Sequence, residues 1–463
     1  MFERNALEWL RNWRDRQDHR PLVIRGARQV GKTSLVNMFA KEFDCYLKFN
    51  LDDRNDLNLF AKEMPVQELF TLMCASRNKK KKENGTLVFI DEIQNSPIAI
   101  KMLRYFYEEL PDVHVIAAGS LLETMLDRNK QVSFPVGRVE YMALRPCTFD
   151  EFLGAMGETS LCQMVRDADV PEPLHPKVMN LFNRFSLVGG MPQAVSHYSS
   201  NNDIIALDSV YHSLLTGYLD DTEKYAQSET MRNVIRHIIT NGWTQDDEQI
   251  TFDRFAASNY KSREVGEAMR TIQKTMLLEL VYPSVETSLP VIPDLKKRPR
   301  LMWLDIGLVN YAAGVQSELY QVEDLNDVWR GKVAEHIVGQ ELIGNNYNFM
   351  ERRTFWVRDS RNAQAELDYL YNSRRFGLIP IEVKSGTNAH LKSLQEFMFD
   401  SPCGFAIRFW HKPLQCDSIH IERKDKNGNI EKSKDYTLYS LPYYYASCIE
   451  KFLEKTLKSR LTN

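Results

Sequence analysis

Residues 26–33 of this chain read GARQVGKT, a full G-x-x-x-x-G-K-[ST] pattern placed between an apolar run, PLVI, and a helical one, SLVNMFAKEF. In that setting the backbone of Gly26, Ala27, Arg28, Gln29, Val30 and Gly31, with the helix start at Lys32, Thr33 and Ser34, makes a cradle for phosphates. Lys32 would reach the β- and γ-phosphates and Thr33 would hold Mg²⁺, so ATP and Mg²⁺ are the expected ligands. A second stretch, LVFIDEIQ, is a buried-strand pattern ending in two acids. Asp91 is expected in the metal shell and Glu92 as the group that orients or deprotonates the attacking water. A third apolar run, VHVIAAGS, ends in Ser120, a candidate γ-phosphate sensor or simply a serine closing a strand. In FPVGRVEYMALRPCTFDEFL, Arg138 can neutralise transition-state charge on a neighbouring subunit's nucleotide, or form a surface ion pair. Far along the chain, IPIEVKSG sets Glu382 and Lys384 two residues apart and hence on one face of a strand. Without context such a pair is most often an exposed ion pair.

The elements that must position these groups follow from the hydrophobic pattern. Over the first 150 residues short apolar runs alternate with helical stretches, the signature of an α/β fold with a parallel sheet covered on both faces. The basic run RNKKKKENG between the second and third strands reads as a solvated loop. Residues 151–225 are helical, interrupted by LVGGMPQAV. Residues 226–290 carry three helical patterns, MRNVIRHIITNG, ITFDRFAASNY and SREVGEAMRTIQKTMLLELV, and a strand-like end, the order of a winged helix. Such a module either reads DNA or only packs, and Arg263 and Arg270 make its third helix only mildly basic. The stretch 291–324, with SLPVIPDLKKRPR just ahead of and within it, reads as a linker or exposed hairpin. Residues 325–463 have the order helix, three strands, helix, strand of a compact α/β domain.

Composition bounds the rest. At 463 residues the chain is long enough for several domains, and 43% hydrophobic with 26% charged residues is globular. A net charge of -3 gives no global basic field, so DNA contact would need local patches. With no signal-peptide core and no apolar run of about 18 residues, the expectation is a cytoplasmic protein without membrane contact. Seven scattered cysteines with no Cys-x-x-Cys pair read as reduced thiols. His336, His390 and His411 lack metal-site spacing.

Taken together, RGARQVGKTSL, FIDEIQ, AAGSLL, VGRV, RPCTFDEFL and GGMPQAV resemble the AAA+ superfamily of ATPases over roughly the first half of the chain. More narrowly, they look like the prokaryotic AAA+ ATPases related to the archaeal-type and STAND clades. The resemblance implies ATP hydrolysis and, through a Gly-x-Pro motif matched by Gly190-Met191-Pro192, a place for Pro192 against the base. No second sensor arginine stands out, which fits that clade. In that family the ATPase is commonly followed by a domain resembling the PD-(D/E)XK nuclease fold. On this pattern Asp368, in AELDYL, and Glu382 would bind Mg²⁺, Lys384 would position water, and Glu335 in GKVAEHIVGQEL would be a further acid. One departure is that Leu367, and not proline, precedes Asp368, with Glu366 on the opposite face.

The expected organisation is an ATPase domain over 1–150, a helical lid-like region over 151–225, a winged-helix-like domain over 226–290, a linker over 291–324 and a nuclease-like domain over 325–463. Three functions are open: an ATP-dependent nuclease on DNA, a DNA-binding ATPase with a dead nuclease fold, and a nucleotide-controlled switch that binds protein partners. An arginine finger at Arg138 would additionally require a homo-oligomer.

Overall fold

The computed structural model describes residues 2–80, 85–119, 135, 137–226, 228–315, 327–358, 365–385 and 391–461. Five parallel strands, β1 (Leu22–Arg25), β2 (Cys45–Asn50), β3 (Thr86–Asp91), β4 (Val113–Ala118) and β5 (Glu140–Ala143), form a sheet of order β2-β3-β4-β1-β5. Its strands read as nearly continuous apolar runs because both faces are covered. Along β3, Leu87 and Phe89 enter one core while Val88 and Ile90 enter the other. Helices α1 (Ala6–Arg14) and α2 (Lys32–Phe39) cover the first face; α3 (Arg54–Asn58), α4 (Val66–Ser76) and α5 (Pro97–Glu109) lie in the β2–β4 connections, and α4 and α5 cover the second face. Because β4 is inserted between β1 and β3, the loop after β1 and the acids ending β3 flank a gap at the C-terminal edge of the sheet, where α/β proteins place ligands.

Helices α6 (Phe149–Ala155), α7 (Thr159–Arg166), α8 (His175–Val188), α9 (Pro192–Asn201) and α10 (Asp208–Tyr225) follow. The RPCTFDEFL motif is the hinge into them: Thr148 and Glu151 close a capping box on α6, and the Cys147 amide donates to the Gly190 carbonyl at 2.6 Å.

The middle of the chain packs α11 (Glu229–Asn241) and α12 (Ser262–Lys274) with an antiparallel sheet of β6 (Glu248–Gln249), β7 (Leu278–Val281) and β9 (Arg300–Trp303), in the order β6-β9-β7. Two expectations are corrected here. ITFDRFAASNY yields only a 3₁₀ turn at Phe255–Ala257: its buried apolar residues, Ile250 and Phe255, are five apart and off helical spacing, and Arg254, Ala256 and Ala257 have positive φ. The segment 291–324 is more than a linker: after exposed Ile292 and Leu295 it contributes β9, buried along its length, and the buried helix α13 (Ile306–Ala312). The Pro- and Lys-rich run masks the apolar LMWL that completes the middle sheet.

The last part contains α14 (Asp327–Gly344), α15 (Lys392–Asp400), α16 (Ile449–Leu461) and a mixed sheet, in the order β12 (Tyr369–Ser373), β13 (Gly377–Val383), β14 (Phe405–Trp410), β16 (Ile430–Pro442), β15 (Gln415–Lys424). β12 and β13 are an antiparallel hairpin, and β14 joins β13 in parallel through α15. AELDYLYN is not one strand. Leu367, in β11 (Glu366–Leu367), pairs with Trp356 in β10 (Phe355–Val357), whereas Tyr369 pairs with Ile381 in β13. Asp368 sits at the break, which allows Leu367 and Tyr369, two residues apart, to be buried in different sheets. β10 also pairs in parallel with β8 (Pro283–Ser284) from the middle of the chain.

One apolar cluster runs from Leu22 and Met142 through Phe182, Trp243 and Trp303 to Ile381 and Ile407. The successive parts of the chain therefore share a core, and polar contacts seal the joins. The Ala143 amide donates to the Tyr347 carbonyl at 2.8 Å, and the Phe149 amide donates to the buried carboxylate of Glu341. Among the described residues no helix is long and apolar enough to cross a membrane.

Candidate functional site

At the end of β1 the chain passes Leu144 so closely that a Cβ on Gly26 would lie 2.4 Å from the Leu144 carbonyl oxygen. Gly31 has φ 94°, in the left-handed region that glycine alone enters freely, and leads directly into α2. These two positions explain the spacing of the glycines in GARQVGKT. The Lys32 ammonium folds back on the loop, donating to the carbonyls of Gly26 at 3.0 Å and Ala27 at 2.9 Å. Burial pushes Lys32 down to about 8, opposed by Glu92 and Asp91. Thr33 Oγ1 donates to Asp91 Oδ2 at 2.7 Å. That hydroxyl and carboxylate are hard oxygen donors side by side, a pair that fits Mg²⁺. Glu92, at φ 52°, accepts from Gln94 Nε2, and burial raises its carboxyl above the usual range.

Lys32, Thr33, Ser34 and Glu92 open on a cavity of about 1100 Å³, at the upper end of ligand-pocket sizes. Pro192, the first residue of α9, stands against the loop: a Cβ on Gly31 would lie 3.4 Å from its Cγ. The cavity is completed by groups that no local motif signals: Phe2, Arg4, Met38, His197 and Asn201. Arg4 is buried and donates to the carbonyls of Val30 at 3.2 Å and Arg145 at 2.9 Å, while its Nε lies 3.0 Å from Glu151. It thereby ties the phosphate loop to the RPCTFDEFL hinge. From α10, the buried Asp221 meets Arg28 at 2.5 Å, and the Tyr218 hydroxyl donates to the Arg28 carbonyl at 3.0 Å.

Two expected residues do not join this group. Ser120 lies outside the described residues. Arg138 precedes β5, whose first residue pairs with the first residue of β1, and so sits at the sheet edge opposite the phosphate loop. There its Nε is 2.9 Å from Glu108, an exposed ion pair.

The Gly189-Gly190-Met191-Pro192 turn is seated on the buried Asp305. The Gly190 amide donates to Asp305 Oδ2 at 2.5 Å, and Asp305 also caps α13 through the Leu308 amide and accepts from Gln340 Nε2 on α14. A Cβ on Gly190 would come within 2.3 Å of the Cys147 carbonyl oxygen.

The second group of sequence-marked residues is also brought together. The Val383 amide donates to Asp368 Oδ2 at 2.7 Å, which places Asp368 beside Glu382 at the open end of the β12–β13 hairpin. Lys384 Nζ is 2.5 Å from Glu382 Oε1, while Glu382 Oε2 is buried without a hydrogen-bond partner. Glu335, on α14, lies 3.9 Å from the guanidinium of Arg300. Burial raises the carboxyls of Asp368 and Glu382, each further disfavoured by a neighbouring acid, and pushes Glu335 up to about 8 and Asp247 up to about 7. Among the described residues no three His, Cys, Asp or Glu side chains are grouped so as to hold a metal ion. His336 is buried against Asp246 at 2.6 Å, and the His411 carbonyl meets His175. His390 lies outside the described residues.

Residues 18–153 match the family model described as AAA domain. Together with the loop geometry, that match decides the first site. Residues 18–153 form a P-loop ATPase domain of the AAA type. Beyond this ATPase domain, residues 179–319 and 330–419 match two domains of unknown function, DUF8612 and DUF4143. Among curated proteins none matches the chain. Among solved structures, the Walker-type ATPase PABY2304 of Pyrococcus abyssi aligns at 16% identity and TM-score 0.43, covering 68% of this chain and 96% of its own. The Hsp104–ADP complex of S. cerevisiae aligns at 14% identity and TM-score 0.26, covering 59% of this chain and 39% of its own. Drosophila ORC bound to DNA aligns at 10% identity and TM-score 0.24, covering 67% of this chain and 85% of its own.

Proposed function

We propose that this protein is an ATP-driven switch in which the nucleotide state around Lys32, Thr33, Asp91 and Glu92 controls the C-terminal nuclease-like domain. The observation that carries the reading is the junction at Asp305. One carboxylate is bonded both to the turn that presents Pro192 to the phosphate loop and to Gln340 on α14, the helix that also bears Glu335. Nucleotide must displace Lys32 from the loop carbonyls for its ammonium to meet phosphate, and Pro192 faces the same cavity, so movement at the loop bears on the turn. Bound Mg²⁺ would supply charge neutralisation at the phosphates, with Thr33 and Asp91 holding it. Glu92 orients the attacking water and accepts its proton.

Hydrogen exchange tests the coupling. On addition of ATP and Mg²⁺ the amides of α14 should change protection, and in Gln340→Ala the change should be lost while ATP turnover persists. Unchanged exchange across α14 in the wild-type protein would sink the proposal.

A second reading, metal-dependent cleavage of DNA by the C-terminal domain, is favoured by the juxtaposition of Asp368, Glu382 and Lys384 at one hairpin end. Cleavage of single-stranded, duplex and branched DNA with Mg²⁺ or Mn²⁺, with and without ATP, tests it. Activity lost in Lys384→Ala supports cleavage, whereas salt-dependent DNA binding without cleavage supports a binding domain of that fold, and neither supports the protein-binding switch.

A further inference from the structure

Where the ATPase sheet, the middle sheet and α14 meet, a cavity of about 50 Å³ is lined by Arg145, Gln273, Glu279, Met302, Arg352 and Arg353, among others. By volume it holds about four waters or one small oxyanion. Its walls come from distant parts of the chain: Arg145 just beyond β5, Gln273 on α12, Glu279 on β7, Met302 on β9, and Arg352 and Arg353 ahead of β10.

Arg145 is the group that the fold leaves unmatched. It is 8% exposed, and among the described residues no carboxylate lies within ion-pair reach of its guanidinium. Of its five N–H donors, Nε meets the Asn346 carbonyl at 3.3 Å and an Nη2 hydrogen the Asn348 carbonyl at 3.5 Å, both long contacts. Arg4 and Arg300 are as deeply buried, but each touches a carboxylate and holds its charge more firmly than a free arginine does. Arg145 goes the other way: burial pulls it down to about 10, Glu279 and Glu351 oppose this, and Arg353 and Arg352 add to it.

The nearby acids do not make up the difference. Glu279 is taken up by Arg353, accepting from its amide at 2.8 Å and from its Nε at 3.0 Å. Glu341 lines the cavity too, but burial raises its carboxyl well above the usual range, which keeps it neutral, and it accepts from the Phe149 amide. Three guanidinia are thus answered by one committed carboxylate and, at greater distance, by Glu351. Gln273, whose side-chain carbonyl accepts from the Leu280 amide at 2.8 Å, has its NH₂ group left to donate.

We propose that this cavity binds a phosphate group, held by Arg145 with Arg352, Arg353 and Gln273 at the junction of three parts of the chain. Guanidinium forks match phosphate oxygens two at a time, and in a site shut off from water their attraction is weakly screened. The Arg145 carbonyl accepts from Arg4, which also donates to the Val30 carbonyl, so one side chain joins the occupied site to the phosphate loop. A second cavity of about 220 Å³, bounded by Leu342, Tyr371 and Leu378, shares Arg352 and Arg353 with the first. It has room for the tail of a phosphomonoester, whereas inorganic phosphate needs the first cavity alone. The proposal requires neither ATP turnover nor movement of α14.

The test is a calorimetric titration of the full-length protein with inorganic phosphate and, separately, with ribose 5-phosphate, against chloride at equal ionic strength. The phosphate loop is filled beforehand with Mg²⁺ and a non-hydrolysable ATP analogue, so that it does not compete for the probe. Wild type should bind phosphate saturably, Arg145→Gln about tenfold or more weakly, and Arg352→Gln, at an exposed residue, about threefold more weakly. Binding of inorganic phosphate alone supports the small enclosed site, and Arg145-dependent binding of ribose 5-phosphate supports one that continues into the second cavity. No saturable binding of either probe by wild type, or equal binding by Arg145→Gln, would overturn the proposal. Uptake of the ATP analogue verifies that each variant is folded. Should Arg145→Gln fail that check, Arg145→Lys replaces it: the charge stays and the fork is lost, so weaker binding supports the assignment and unchanged affinity overturns it.

Discussion

The chain carries two clusters in which acids sit beside a lysine, and they are built in opposite ways. At the phosphate loop Lys32 bonds to backbone carbonyls, Asp91 accepts a hydrogen bond from Thr33, and Lys32 and Thr33 open on a cavity. In the C-terminal cluster Lys384 is bonded directly to Glu382, and Arg300 is paired with Asp247 and Glu366 and lies 3.9 Å from Glu335. The first site keeps its charges apart until a polyanion with its cation arrives; the second already contains its counter-charges. The presence of acids and a lysine is therefore a weak guide to chemistry. What distinguishes the sites is whether the cations are committed to backbone or to the carboxylates themselves.

The sharpest break in the comparison comes from removing the reactive groups of the open site. Lys32→Ala and Glu92→Gln should each reduce ATP turnover by about 100-fold or more, measured by phosphate release, whereas Lys384→Ala should leave it unchanged. Next in size is Gly190→Ala, whose methyl would meet the Cys147 carbonyl at 2.3 Å. Overpacking of this kind costs about 1–3 kcal/mol, visible as a lower denaturation midpoint.

The closed cluster should show itself in the pH dependence of stability. Its acids have raised folded-state values, about 8 for Glu335 and about 7 for Asp247. Between the ordinary carboxylate range and those values the folded chain holds more protons than the unfolded one, so stability falls as pH rises from about 4 to about 8. Thermal melts across that window should show the decline, and Glu335→Gln should flatten it. The smallest effect is expected at Arg138, exposed and paired with Glu108. Arg138→Ala should change stability by less than about 0.5 kcal/mol. A large loss of ATP turnover in that variant, dependent on protein concentration, would instead make it a group acting on a neighbouring subunit.

Sequence made the open site legible because its chemistry is local. Gly26, Gly31, Lys32 and Thr33 lie within one loop, and Asp91-Glu92 ends one strand, so spacing alone carries the geometry. The parallel sheet was equally readable from its two-sided apolar strands. Pro192 needed the resemblance, since a Gly-Gly-Met-Pro turn says nothing by itself about a phosphate loop far upstream. Arg4, Asp221, Asp305 and Arg300 were not legible at all. Each is a single charged residue whose meaning comes from a partner more than fifty positions away: Glu151 for Arg4, Arg28 for Asp221, Gly190 for Asp305 and Glu366 for Arg300. The same long-range assembly hid β9, which looks like the end of a basic linker until β6 and β7 are placed on either side of it.

The shared apolar cluster has a practical meaning for anyone dissecting this molecule. Cutting the chain between residues 319 and 330, where two matched families part, would separate Phe149 from Glu341 and Asp305 from Gln340, and would split a core that runs through both pieces. Each half would present raw hydrophobic surface to solvent and should emerge sticky and chaperone-bound, so questions about the last domain are best asked by point substitution in the intact chain.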